Sequence, residues 1–255
     1  MGKLPSSRQA LPYSPIPYVS IGNLTVSTHG LMFLLAAFVC LGLLKARLSA
    51  QEFRRLLNSI PWLTLGSLLG ARFSYLISRA ETDVSQWPLF WQGGMVSYGG
   101  LAGCFLVLWW RHRSEAPDYY DRLAGPCLIA WGIGRLGCLL SWYGEAGALT
   151  DVPWGLTVAG STRHPVMGYL ALLYIVGGTL LSKVKPEKPG RLWPTALFYY
   201  GLVRGICDQW RDYRPEYLGS LSQAVCGTIV ILSLIVFVRA GSNPATFVET
   251  ESREK

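Results

Sequence analysis

Seven apolar runs dominate this chain, each close to the length that crosses a hydrocarbon layer as a helix. They are Thr28 to Leu44, Ile60 to Ile77, Gly93 to Trp110, Leu123 to Leu140, Pro165 to Leu181, Leu192 to Cys207 and Leu221 to Val238. A helix of about 20 apolar residues matches the roughly 30 Å of hydrocarbon in a bilayer. With 51% of its 255 residues hydrophobic and 15% charged, the chain is too apolar for an ordinary soluble domain. It reads as an all-α integral membrane protein of about seven transmembrane helices, with a cap segment over 1–27, a membrane domain over 28–239 and a tail over 240–255.

Lys and Arg set the expected orientation. The connections after the first, third and fifth runs, with the tail, hold Lys45, Arg47, Arg54, Arg55, Arg111, Arg113, Lys183, Lys185, Lys188, Arg191, Arg239, Arg253 and Lys255. The opposite face holds Lys3, Arg8, Arg79, Arg163, Arg211 and Arg214. By the positive-inside rule the N-terminus lies outside and the C-terminus in the cytoplasm. The net charge of +8 is spread over short loops, which suits anionic lipid head groups and not a nucleic acid. Positive charge follows the first apolar run instead of preceding it, so that run reads as a retained span and not a cleaved signal. Six cysteines sit in or beside apolar runs without CxxC spacing, as packing residues that imply neither a disulfide framework nor a metal site.

The fourth run carries the most unusual chemistry: it ends in Trp131-Gly132-Ile133-Gly134-Arg135-Leu136-Gly137-Cys138, a guanidinium among glycines at membrane depth. Such a charge costs roughly 2.5 to 3.5 kcal/mol on insertion scales. Either it serves a ligand, or it pairs with a carboxylate and locks helices together. The sixth run repeats the feature with Arg204, and Asp208 one turn on could pair with it. Two arginines in the outer half of their helices suit an anionic phosphate.

Local signals fill in the rest. The segment before Val26 is proline-bearing and reads as an ordered cap or short hairpin. Ser49 and Glu52 form a capping box ahead of a short basic helix expected to lie on the cytoplasmic surface. Gly66 and Gly70 stand one turn apart, a spacing that admits a second helix closely, and Arg72 follows. The loop Ser85 to Gln92 is aromatic, as in an interfacial belt. In Gly93-Gly94-Met95-Val96-Ser97-Tyr98-Gly99-Gly100-Leu101-Ala102-Gly103 each glycine lowers helix stability by roughly 1 kcal/mol, a cost tolerated where backbone must approach a helix or a ligand. The stretch from Glu145 to Thr162 is the longest outer loop after the N-terminal segment, and His164 before Pro165 is held extended. His29, at the outer end of the first run, is either interfacial or catalytic.

Taken in order, these pieces resemble the prolipoprotein diacylglyceryl transferases, bacterial membrane enzymes that move a diacylglyceryl group from phosphatidylglycerol to the lipobox cysteine of a preprolipoprotein. The resemblance spans about Tyr18 to Val238. It rests on His29-Gly30-Leu31-Met32, Gly70-Ala71-Arg72, the glycine run around Tyr98, Asp121, Gly134-Arg135-Leu136-Gly137-Cys138, Pro153-Trp154, Arg163-His164-Pro165, Tyr200-Gly201 with Arg204, and Ser222-Gln223. It implies that Arg135 and Arg204 bind the lipid phosphate, within a substrate-binding set that includes Arg72, His29, Gly99, Gly100, Gly134 and Asp121. Tyr98 stands where many members have a histidine thought to help deprotonate the substrate thiol. After His164-Pro165 the family usually reads serine or threonine, glutamine, leucine, tyrosine, glutamate; here Val166-Met167-Gly168-Tyr169-Leu170 keeps only the tyrosine.

The implied reaction forms a thioether and releases sn-glycerol-1-phosphate in the bacterial inner membrane. Its partners are phosphatidylglycerol, a preprolipoprotein signal peptide and membrane lipids, and no metal or organic cofactor is called for. A thiol of ordinary pKa, about 8.5, needs a base or a positive field. Tyr98, Glu145, His164 and the field of the arginines are the candidates. The alternative from another class is a non-catalytic paralogue that binds phospholipid or a lipoprotein signal peptide. A solute transporter fits less well, since no inverted repeat is visible.

Overall fold

A computed structural model describes residues 11–78, 96–142, 147–213 and 217–242. Among them are seven α-helices: α1 Thr28–Lys45, α2 Ala50–Ser78, α3 Ser97–His112, α4 Pro117–Ser141, α5 Val166–Leu181, α6 Leu192–Cys207 and α7 Tyr217–Ser242. Five short strands accompany them, β1 Leu11–Pro12, β2 Tyr18–Ile21, β3 Leu24–Ser27, β4 Leu156–Val158 and β5 Ser161–Arg163. Each helix overlaps one apolar run, α2 starting ten residues ahead of its run. Three helices are long and apolar enough to cross a membrane, Thr28–Lys45, Pro117–Ser141 and Tyr217–Ala240. The helices α3, α5 and α6 have 16 residues each, about 24 Å at 1.5 Å per residue, short of a full hydrocarbon core. Side chains such as Phe38, 71% exposed on α1, and Val238, 64% exposed on α7, suit a surface that meets hydrocarbon.

The described residues of Met1–Ala46 and Tyr120–Lys255 make one compact unit, and those of Arg47–Tyr119 a second. In the first, β2 and β3 form the expected hairpin, pairing Tyr18 with Ser27 and Ile21 with Leu24 across Gly22 at φ +61°. That is where a two-residue type II′ turn uses glycine. The loop before His164 is more ordered than its sequence suggested. It folds into a second hairpin, β4 with β5, turning through Ala159 and Gly160 at positive φ, and β1 pairs parallel to β4. The chain between the strands straps the end of α4: the Tyr13 hydroxyl donates to the Leu139 carbonyl at 2.9 Å, and Ile16 N to the Leu140 carbonyl at 2.8 Å. These carbonyls are among the last four of a helix and have no partner within it.

In the second unit the capping box forms as read, with Ser49 N donating to Glu52 Oε2 at 2.8 Å and Glu52 N to Ser49 Oγ at 3.3 Å. The expected short surface helix, however, does not stop. It runs through Pro61 as part of the 29-residue α2. The helices α2 and α3 pack through their glycines. A Cβ at Gly70 would strike the Gly99 carbonyl, and one at Gly103 the Gly66 carbonyl. The glycine run therefore serves helix contact. At the other end of the pair the Ser59 hydroxyl donates to the Arg55 carbonyl at 2.9 Å and accepts from Arg111 Nε at 3.0 Å. His112 Nε2 lies 3.0 Å from the same oxygen, and its ring stacks on Tyr119 at 5.2 Å.

A bulky side chain at Gly103 has to push the helices apart. Gly103→Leu is expected to cost about 3 kcal/mol in thermal unfolding in detergent. Gly227→Leu, where a Cβ meets nothing within 4 Å, should leave the midpoint near wild type.

Candidate functional site

Arg204 lies in the last turn of α6, where a cation complements the negative end of the helix dipole. It is 4% exposed. Its Nε is 3.1 Å from Oδ1 of Asp208, the pair that the spacing allowed, and the Asp208 side chain is fully buried. Arg211 Nη1 approaches the same oxygen at 3.6 Å. The Tyr213 hydroxyl donates to Asp208 Oδ2 at 2.8 Å while accepting from Arg204 Nη2 at 3.3 Å, and the Ser222 hydroxyl also donates to Oδ2. Burial pushes the Tyr213 phenol up from its ordinary value, which keeps it a donor at neutral pH.

Arg135, 6% exposed, lies among softer groups on α4. Its Nη1 is 3.7 Å from Cys138 Sγ and 3.9 Å from Met167 Sδ, and its Cζ is 5.2 Å from the centre of the Trp131 ring. Trp131 meets Tyr200 edge-on at 5.8 Å, and Tyr200 stacks on Tyr174 at 5.4 Å. The ring contacts thus run from Trp131 beside Arg135 to Tyr200, one turn before Arg204 on α6. The structure thus brings the two arginines to one aromatic neighbourhood, a setting able to hold an oxyanion by charge-assisted hydrogen bonds.

The start of α1 packs on the same part of α4. A Cβ at Gly137 would lie 2.8 Å from Met32 Cβ and 3.4 Å from His29 Cα, and one at Gly134 would touch the Phe33 ring at 3.5 Å. His29, edge-on to Phe33 at 4.8 Å, is thereby brought to the stretch of α4 that carries Arg135.

His164, just before α5, has its Nδ1 3.3 Å from the Tyr169 hydroxyl, whose oxygen accepts from Trp154 Nε1 at 2.8 Å. Trp210, in a 3₁₀ turn at Asp208–Trp210, packs on His164 at 6.1 Å and on Tyr169 at 6.4 Å. Burial pushes the His164 imidazole down from its ordinary value and favours the neutral ring. Beside it Arg163 Nη1 donates to the Gly147 carbonyl at 2.9 Å and meets Asp212 Oδ2 at 3.2 Å. Glu145 lies outside the described residues.

Arg72, buried on α2 with its Cζ 5.5 Å from the Tyr75 ring, and Tyr98, half-buried in the first turn of α3, belong to the second unit. So do Gly99, packed on Gly70 and Ser74, and Gly100, packed on Ser67. The Asp121 carboxylate accepts from Gly190 N at 2.7 Å, Leu192 N at 2.8 Å and Trp193 N at 3.0 Å, which caps the start of α6. Tyr174, Tyr213 and Trp131 carried no signal, because an aromatic in or beside an apolar run reads as core. Tyr169 carried only its place in the family pattern.

The family model described as prolipoprotein diacylglyceryl transferase matches residues 17–239. The chain belongs to this family. Curated relatives named phosphatidylglycerol–prolipoprotein diacylglyceryl transferase include one from Pseudoalteromonas atlantica, 31% identical over 215 residues covering 76% of this chain and 74% of the relative. Another, from Glaesserella parasuis, is 27% identical over 255 residues, 90% and 93% of the two chains. A third, from Pseudomonas aeruginosa strain LESB58, is 27% identical over 251 residues, 87% and 92%. The family match takes in Arg135, Arg204, the Asp208 cluster and His164.

Removing Asp208 leaves Arg204 buried beside an empty space. Asp208→Ala is expected to cost about 3–5 kcal/mol in thermal unfolding. Asp121→Ala, which loses only a helix cap, should cost about 1–2 kcal/mol and leave lipid binding measured by native mass spectrometry unchanged; loss of binding at wild-type stability would instead assign Asp121 to the substrate.

Proposed function

We propose that this chain transfers a diacylglyceryl group from phosphatidylglycerol to the cysteine thiol of a preprolipoprotein. The reading draws on the names of its relatives and on one observation above all: two buried arginines, Arg135 and Arg204, linked through the Trp131 and Tyr200 rings. The thiol sulfur attacks the glyceryl carbon, the carbon–oxygen bond to phosphate breaks, and sn-glycerol-1-phosphate leaves while the thiol proton passes to a base. The arginines hold the phosphate oxygens and offset the charge that grows on them. Thiol activation falls to Glu145, to His164, to Tyr98, or to the cationic field that stabilises a thiolate. By the distribution of Lys and Arg the N-terminus faces out, the C-terminus faces the cytoplasm, and the site opens toward the outer face of a bacterial inner membrane.

A binding paralogue is the second reading, and one residue favours it. Where the family usually carries a glutamate after the tyrosine, Leu170 stands fully buried. A protein that only holds phospholipid or a signal peptide needs the arginines and not the acid–base groups.

Labelled diacylglyceryl transfer from phosphatidylglycerol to a lipobox peptide, by purified protein in detergent, separates the two. Wild type should transfer label, and Arg135→Ala and Arg204→Ala should each lose about 100-fold or more. Bound phosphatidylglycerol with no transfer would sink the transferase reading in favour of the binding paralogue.

A further inference from the structure

Among the groups around the site, the aromatic trio outside α6 has a hydrogen-bond order that its neighbours dictate. The Tyr169 oxygen accepts from the Trp154 indole, a group that can only donate. The other partner of Tyr169 among the described residues is His164 Nδ1. If Nδ1 carried the proton, the phenol would receive two donors and its own proton would find no acceptor among the described residues. The arrangement that uses every group runs in one direction: indole N–H to phenol oxygen, phenol O–H to Nδ1. A neutral imidazole that accepts at Nδ1 carries its proton at Nε2.

Resting on the transferase reading above, we infer that Trp154 and Tyr169 are positioning residues that fix His164 as the Nε2–H tautomer, so that it offers the lipid phosphate a hydrogen-bond donor and not a base. The placement supports a phosphate as the recipient. Trp210, tilted against His164 and edge-on to Tyr169, closes the 3₁₀ turn that begins at Asp208, the carboxylate paired with Arg204. His164 thus stands just past the end of the helix that carries one of the two guanidiniums. A neutral donor there adds a directed hydrogen bond without another buried charge. The local sequence fits this use: His164 N donates to the Ala148 carbonyl at 3.0 Å and the His164 carbonyl accepts from Val166 N at 2.9 Å, so the backbone under the ring is fixed. A Cβ at Gly147 would strike the His164 carbonyl, so the opposing loop also closes on it.

Two substitutions read the role. Glutamine reproduces a donor near the Nε2 position but cannot take up a proton, so His164→Gln should retain diacylglyceryl transfer to within about threefold while His164→Ala loses about tenfold or more. Equal loss in both variants, or no loss in His164→Ala, overturns the assignment. The tautomer itself is read without turnover, by nitrogen-15 spectra of the wild type labelled at its 3 histidines. An accepting Nδ1 and protonated Nε2 at neutral pH, lost to a tautomer mixture in Tyr169→Phe, is the expected result; a protonated Nδ1 in wild type overturns it. If wild type transfers no label, the transferase reading has failed. Phosphatidylglycerol affinity of the same two His164 variants then replaces the rate, with the same order expected.

Discussion

A guanidinium buried in an apolar helix bundle has to be surrounded by fixed acceptors, and that requirement organises the unit built on α4 to α7. Taking a charge out of water costs several kcal/mol unless a partner and further hydrogen bonds meet it. Around Arg204 the answer is a fully buried carboxylate one turn away, itself held by Tyr213, Ser222 and Arg211. The partners come from three pieces of chain, the end of α6, the turn after it and the start of α7. The charge therefore ties α6 to α7 alongside their packing, and a displacement of either helix would strip Asp208 of its donors. Arg135 is handled differently, with sulfur atoms and an indole face among its neighbours.

Close backbone approach is the second constraint, and glycine meets it throughout. In the second unit Gly66, Gly70, Gly99 and Gly103 let α2 and α3 touch carbonyl to Cα along one seam. On α4, Gly125 and Gly132 admit α5, and Gly137 admits the start of α1. Without a hydrophobic driving force between helices in lipid, such contacts supply the association energy through dispersion. The glycines around Arg135 thus bring α1 and α5 close to the guanidinium and narrow the space about it.

The loop segments pack around these helix ends. The strap through Tyr13 and Ile16 satisfies the last carbonyls of α4, and the β4–β5 hairpin sets Arg163 and His164 against the turn after α6. Neither piece is long enough to fold alone, since two-stranded hairpins are marginal in water. Each is held by its hydrogen bonds to helix ends and to neighbouring loops.

Much of this was legible in one dimension. The apolar runs gave the helices nearly to the residue at α6, the Ser49–Glu52 spacing gave the cap, and charge inside apolar sequence singled out Arg135 and Arg204. The Arg204–Asp208 pair followed from helix periodicity alone. These features depend on composition or on residues within one turn of each other, and a sequence carries such information directly. It could not show that Asp121 caps a helix that starts some 70 residues later, that the glycine run near Tyr98 packs on α2, or that Tyr169 stands between Trp154 and His164. Those facts depend on which distant segments meet, and burial and hydrogen-bond demand settle that only when the whole chain is packed. Apolar length and one-turn spacing thus set the helices and picked out Arg135 and Arg204, because hydrocarbon tolerates so few alternatives. What surrounds those guanidiniums came from packing, because their neighbours belong to elements far apart in the chain.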